Sequence, residues 1–309
     1  LDRQDRRALL GRCLAGLPAG APGRSCGQGR RRGGAADGAP EREPEPAAHG
    51  EPDVQPLPDN ELLTRLSLDL RGVRPSVGEY ERLRADPTQI DALTEEYLND
   101  PRFPGRVMDL WSEVYLTRSE GYAVRPGDFG VDPAAFYQSI GQEPLQLLGY
   151  VAANDLPYTD MVTAEYTLAN ETTADLWSLD YPDGATGWQV AHYTDGRPHA
   201  GVLTTNGMWW RYSSTDSNAN RKRANEVSRI LLCNDYLVRP IDFDRNVNLL
   251  DQDAVEDALR TSPGCVNCHG SLDPLASYFW GFYYQDYDSP IDTRSYHPER
   301  ERWWEDYSG

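Results

Sequence analysis

Five residues, Cys265-Val266-Asn267-Cys268-His269, place the tightest condition on what this chain folds into. Two thiols three positions apart, followed at once by an imidazole, form the attachment pattern of a c-type haem. The thiols add across the two vinyl groups of one porphyrin, and His269 then lies under the iron as proximal ligand. Covalent attachment holds such a group even in a small or loosely packed site. Two other chemistries use paired thiols. A zinc site wants a second ligand pair of similar spacing, and the remaining cysteines, Cys13, Cys26 and Cys233, do not supply one. A thioredoxin-like redox pair wants a strand before it and a long helix after it; here Pro263-Gly264 precede the motif and Pro274 follows soon after. The expected cofactor is therefore one covalent haem c, with zinc or thiol redox chemistry as the alternatives.

The residues after the motif suit a haem pocket. Leu272, Leu275, Tyr278, Phe279, Trp280, Phe282, Tyr283 and Tyr284 are apolar or aromatic, and such side chains exclude water and tune a potential through low dielectric. They suit an ordinary core equally well. The sixth iron ligand is open. In small class I cytochromes c a Met follows the motif, and here none does. The candidates, in order, are His199, Met208 and His297, then an open site; Met108, Met161, His49 and His192 are the other residues of these types. Asp242, Asp244, Asn246, Asn248 and Asp253 alternate somewhat like a calcium-binding loop. Val247 stands where that loop needs Gly, and its twelfth residue is Asp rather than Glu. The run reads as a solvated acidic loop, with calcium the lesser reading. No Gly-x-Ser-x-Gly elbow, phosphate loop or His-Glu-x-x-His appears.

The formal charge is −19, from 49 acidic against 30 basic residues. Phosphate would repel so acidic a chain, which argues against nucleic acid as a partner. The same charge keeps a protein soluble and steers a cationic partner, such as a basic redox protein. No run approaches the roughly 20 apolar residues of a membrane helix. Arg6-Arg7 before Ala8-Leu9-Leu10 gives a faint twin-arginine export pattern that Arg12 interrupts.

Residues 1–58 read as a disordered leader or linker, rich in Arg, Gly, Ala and Pro and poor in large apolar groups. Residues 59–118 read as a small helical module. Leu62, Leu63, Leu66 and Leu70 make one apolar stripe, Gly72 ends it, and Ser76 with Glu79 has capping-box spacing. Further helices are predicted near Gln89–Asn99 and Gly105–Leu116. Residues 119–309 read as the haem-binding module. Helices are expected over Pro133–Ile140, Pro144–Asn154, Ala219–Cys233 and Gln252–Thr261, and irregular loops over 119–131 and 178–216. In the helix at 219–233, Val227, Ile230, Leu231 and Cys233 are expected inward and Arg221, Lys222, Arg223 and Glu226 outward. The fold class is mainly α: helical modules with long irregular loops around a single covalently bound haem c.

Three stretches together resemble the planctomycete- and myxobacterial-type secreted cytochrome c family. The first is Arg65-Leu66-Ser67-Leu68-Asp69-Leu70-Arg71-Gly72-Val73-Arg74-Pro75-Ser76 with Tyr97-Leu98-Asn99-Asp100-Pro101-Arg102-Phe103. The second is Tyr158-Thr159-Asp160-Met161-Val162-Thr163-Ala164-Glu165-Tyr166-Thr167 with His199-Ala200-Gly201-Val202-Leu203-Thr204. The third runs from Asn220-Arg221 through Leu232-Cys233 to Cys265–His269 and Leu272-Asp273-Pro274-Leu275. The resemblance covers residues 59–285. It implies export, one haem c and a mainly helical fold, raises His199 as haem partner, and implies no firm enzymatic reaction. Residues 1–50 lack the family's expected leader, and such proteins continue past the position of Gly309, so the resemblance points to truncation at the ends.

The leading expectation is an electron carrier with a protein redox partner, located in the periplasm or at the surface of a bacterium. The alternatives are a haem-dependent oxidoreductase or peroxidase subunit, for which His192, Arg197 and His199 are candidates, and a haem-containing structural subunit of an extracellular assembly.

Overall fold

The computed structural model describes residues 55–122, 124–215, 218–239, 247–248, 250–282 and 293–302. All but the last four residues of the expected leader, with Cys13, Cys26 and His49, lie outside them. So do Tyr283, Tyr284 and, of the calcium-loop positions, Asp242, Asp244 and Asn246. The described chain is mainly helical with irregular connections and one two-stranded sheet. It forms two compact units, one of residues up to 66 with 74–93, the other of 67–73 with everything from 94 onward.

Helix α1 spans Asp59–Arg71 and buries Leu63, Ser67 and Leu70, with Leu62 and Leu66 half-buried beside them. In the first unit, α2 (Val77–Ala85) starts at the predicted capping box. The Ser76 hydroxyl accepts from the Glu79 N–H, and the Glu79 carboxylate accepts from the Ser76 N–H. This satisfies two of the donors that a helix start leaves free. A 3-10 turn at Pro87–Gln89 leads into α3, Ile90–Leu98.

The second unit is built on α5, Pro133–Ala153, against which α4 (Phe103–Tyr115) packs. The sequence suggests two helices here, broken before Pro144; the structure has one. Pro144 has no N–H to give the Ile140 carbonyl. Gly207 abuts that freed carbonyl, so closely that a Cβ at 207 would collide with it. Gly207 lies on α8, Asn206–Arg211, a helix buried on every side but Arg211. The irregular structure expected over 178–216 is therefore interrupted by α8 and by strand β2, Gln189–Ala191. Strand β1 (Thr167–Ala169) pairs antiparallel with β2, Leu168 opposite Val190. Between them lies α7, Glu171–Leu176, and before β1 the short α6, Asp160–Thr163. A helix as short as α8 and buried on nearly every side has no amphipathic period to betray it. The Trp210 ring sits among Phe129, Phe136 and Trp177, with centroids 5.3 to 6.1 Å away.

Helix α9 is Arg221–Leu231, and two of its expected orientations are reversed. Cys233 is exposed. Arg223 is fully buried. Its guanidinium donates to the carbonyls of Tyr212 (2.8 Å), Phe282 (3.0 Å) and Trp209 (3.2 Å) and to Asn220 Oδ1 (3.0 Å). An arginine reads as a surface residue unless its partners are known, and one of these, Phe282, lies 59 residues away. Helix α10, Gln252–Thr261, has its predicted bounds, capped by Asp251.

Candidate haem-attachment site

Ser262 ends α10 and is the N-cap of α11, Pro263–Ser277, whose first helical residue is Pro263. Proline suits that position because the first N–H of a helix has no internal partner. The motif thus lies within a helix that runs through Pro274, longer than the sequence suggests. A helix rather than a strand leads into it, which differs from the thiol-redox arrangement.

Along α11, Cys265, Cys268, His269, Leu272 and Ala276 recur at spacings of three and four. They are half-buried or buried, while Val266, Asn267, Gly270 and Ser271 are exposed. The two thiols and the imidazole therefore share the inward stripe of one helix. That helix packs against α9 and α10.

His269 is held by its own helix. Nδ1 lies 3.0 and 3.2 Å from the two oxygens of Asp273, one turn on. Arg221 on α9 grips the same carboxylate with two hydrogen bonds, Nε to Oδ1 at 2.7 Å and Nη2 to Oδ2 at 2.9 Å. Burial works to raise the Asp273 pKa. The hydrogen bonds from His269 and Arg221 and the Arg221 charge outweigh it and hold the carboxyl at about 2. Asp273 is thus an anion that accepts Nδ1–H and leaves Nε2 as the free ring nitrogen. A 3-10 turn, Tyr236–Val238, flanks the helix. Tyr236 Oη lies 2.8 Å from Ser271 Oγ, and Arg239 donates to the Asn267 carbonyl at 3.2 Å. Between these two contacts, Leu237 and Val238 are 79% and 74% exposed.

None of the candidates for a sixth ligand lies on the two helices that pack against α11. His199 is exposed and lines a cleft with Tyr166, Tyr193, Arg197 and Thr204. Met208 is fully buried in the core beside α5. His297 is half-buried, with Nδ1 3.1 Å from Glu299. Helices α9 and α10 carry no His or Met. His192 is paired with Asp180 at 2.9 Å. Arg197 is committed to the fold: it stacks 3.4 Å over the Tyr193 ring and donates to Asp195, Asn206 and the Thr204 carbonyl. Of the acidic loop, Asn248 accepts from the Leu250 N–H and Asp253 sits in the first turn of α10. Among the described residues, no group of three or more His, Cys, Asp and Glu is arranged to hold a metal ion.

Sequence reasoning missed Asp273 and Arg221 as parts of this site. A helix read through Pro274 would have set Asp273 four residues from His269 on one face. Nothing local points to Arg221, 52 residues away.

No protein-family model, curated protein or solved structure matches the chain.

Proposed function

We propose that this protein is a c-type cytochrome carrying one covalent haem and transferring electrons outside the cytoplasm. One observation carries the reading. Two half-buried thiols and an imidazole share one helix face, and the imidazole Nδ1 is already held by a carboxylate, which presents Nε2. A carboxylate or carbonyl on the other ring nitrogen is the usual support of a metal-bound histidine. When bound, the haem supplies a one-electron iron couple. Cys265 and Cys268 would hold it through thioethers, and His269 Nε2 would bind its iron. Leu272, Ala276 and Phe279, all buried, keep water from that side. Leu237 and Val238 offer apolar surface beside the motif helix. The resemblance of residues 59–285 to secreted cytochromes agrees with this reading. In bacteria haem c is attached on the outer side of the cytoplasmic membrane, which is the basis for a periplasmic or surface location. No helix among the described residues is long and apolar enough to cross a membrane.

The same carboxylate supports a second reading, a haem-dependent oxidoreductase or peroxidase subunit. It would make Nε2 of His269 a more basic ligand, and helices α9 and α10, which pack against α11, carry neither His nor Met.

The test is a pyridine haemochrome spectrum of protein exported with a haem c maturation system. The expected result is one c-type haem per chain that survives acid–acetone extraction and is lost in the Cys265→Ser, Cys268→Ser double variant. Absence of haem from the exported protein overturns the proposal and turns attention to zinc or thiol chemistry at the two cysteines. A low-spin oxidised spectrum assigns the site to electron transfer, a high-spin one to catalysis.

A further inference from the structure

The contacts behind His269 form a chain: Arg221 on α9, Asp273 on α11, then the imidazole. We infer that Arg221 and Asp273 are positioning residues that set the donor strength of His269 Nε2 with opposite signs, and through it the iron potential. The inference rests on the haem reading above.

Asp273 is an anionic acceptor for Nδ1–H. A charge-assisted hydrogen bond draws that proton toward the carboxylate and leaves more electron density on Nε2. A richer axial nitrogen favours the more highly charged ferric state and lowers the potential. Arg221 works against this. Its planar fork meets both oxygens of Asp273 and spreads the carboxylate charge, which weakens the pull on Nδ1–H. Both groups are partly shielded, with side chains 24% and 31% exposed, so solvent damps their electrostatics only in part.

A clasp that merely fixes ring orientation makes a different prediction. Asn at 273 still offers a neutral oxygen to Nδ1–H, and Lys at 221 keeps the cation while losing the fork. Orientation alone therefore tolerates both variants, and a simple charge effect tolerates Arg221→Lys.

The experiment uses the holoprotein matured outside the cytoplasm, after haem content has been measured. Wild type, Asp273→Asn and Arg221→Lys are equilibrated with redox mediators at one fixed potential, and the ferrous-to-ferric ratio is read from the absorption spectrum. The expected result is a ratio about tenfold higher in Asp273→Asn, which corresponds to about 59 mV for one electron, and several-fold lower in Arg221→Lys. Ratios within twofold of wild type, or shifts of the same sign in both variants, overturn the relay while leaving the haem assignment intact. A wild-type chain without haem overturns both. Should Asp273→Asn fail to fold by circular dichroism, Arg221→Lys decides. Should Arg221→Lys fail, Asp273→Glu takes its place, keeping the charge but displacing the acceptor from Nδ1, so that a ratio within twofold of wild type overturns the relay and a several-fold higher one supports it.

Discussion

Glu143 shows how one residue can govern the response of the fold to pH. It is fully buried on α5. Oε1 accepts from Thr167 (2.9 Å) and Tyr193 (2.6 Å), and Oε2 from the Gly207 N–H (2.9 Å). Burial pushes its pKa up to about 7 from 4.5, against the lowering effect of those donors and of Arg197. The folded state therefore holds this proton at a pH where the unfolded chain has released it. The stabilisation is complete below about 4.5 and is lost as pH rises through about 7. Over that window the loss amounts to about 3 kcal/mol. Urea denaturation from pH 4 to 8 should show this downward slope, and Glu143→Gln should flatten it; an unchanged slope removes Glu143 as its source. Arg223 is a second residue whose weight comes from its partners. Arg223→Ala strands three backbone carbonyls and Asn220 in the core and opens a cavity. It should cost on the order of 3 kcal/mol by the same measurement, and a loss under 1 kcal/mol would mark the guanidinium as dispensable.

At the scale of elements, the junction of α5 and α8 turns on a missing N–H and a missing side chain. Pro144 frees the Ile140 carbonyl and Gly207 closes on it. Gly207→Ala should therefore destabilise by about 1 to 3 kcal/mol through overpacking. Gly105→Ala on α4, where a Cβ meets nothing within 4 Å, should be neutral or stabilise by up to about 1 kcal/mol. Thermal melts of the two variants moving together would refute the distinction. Elements with a period or a cap were legible in the sequence: the stripe of α1, the Ser76–Glu79 box and the bounds of α10. Elements buried on all sides, above all α8 with Trp209 and Trp210, carry no period and were not. Prolines misled in one direction: Pro144 and Pro274 suggest helix ends, and each sits inside a helix. The Cys265–His269 pattern was legible because its residues are local. Its support was only half legible, since Asp273 is one turn away while Arg221 arrives through the tertiary fold.

For the whole molecule, a charge of −19 acts on partners at a distance. On the proposed reading, electron exchange with a basic redox protein should slow about tenfold or more as ionic strength rises from about 0.01 to 0.5 M, and exchange with an acidic one should quicken. Equal salt responses with the two partners would show that the acidic surface does not steer encounter. The placement of the site also has a consequence in time. Cys265, Cys268, His269 and Asp273 span nine residues of one helix, so the reactive set exists on a nascent, unfolded strand. The Arg221 grip reaches across 52 residues and exists only after α9 and α11 have docked, a closure with its own entropic cost. On the haem reading, a maturation apparatus would therefore work on the chain as a linear substrate, and folding would be the later step that seals what it has made.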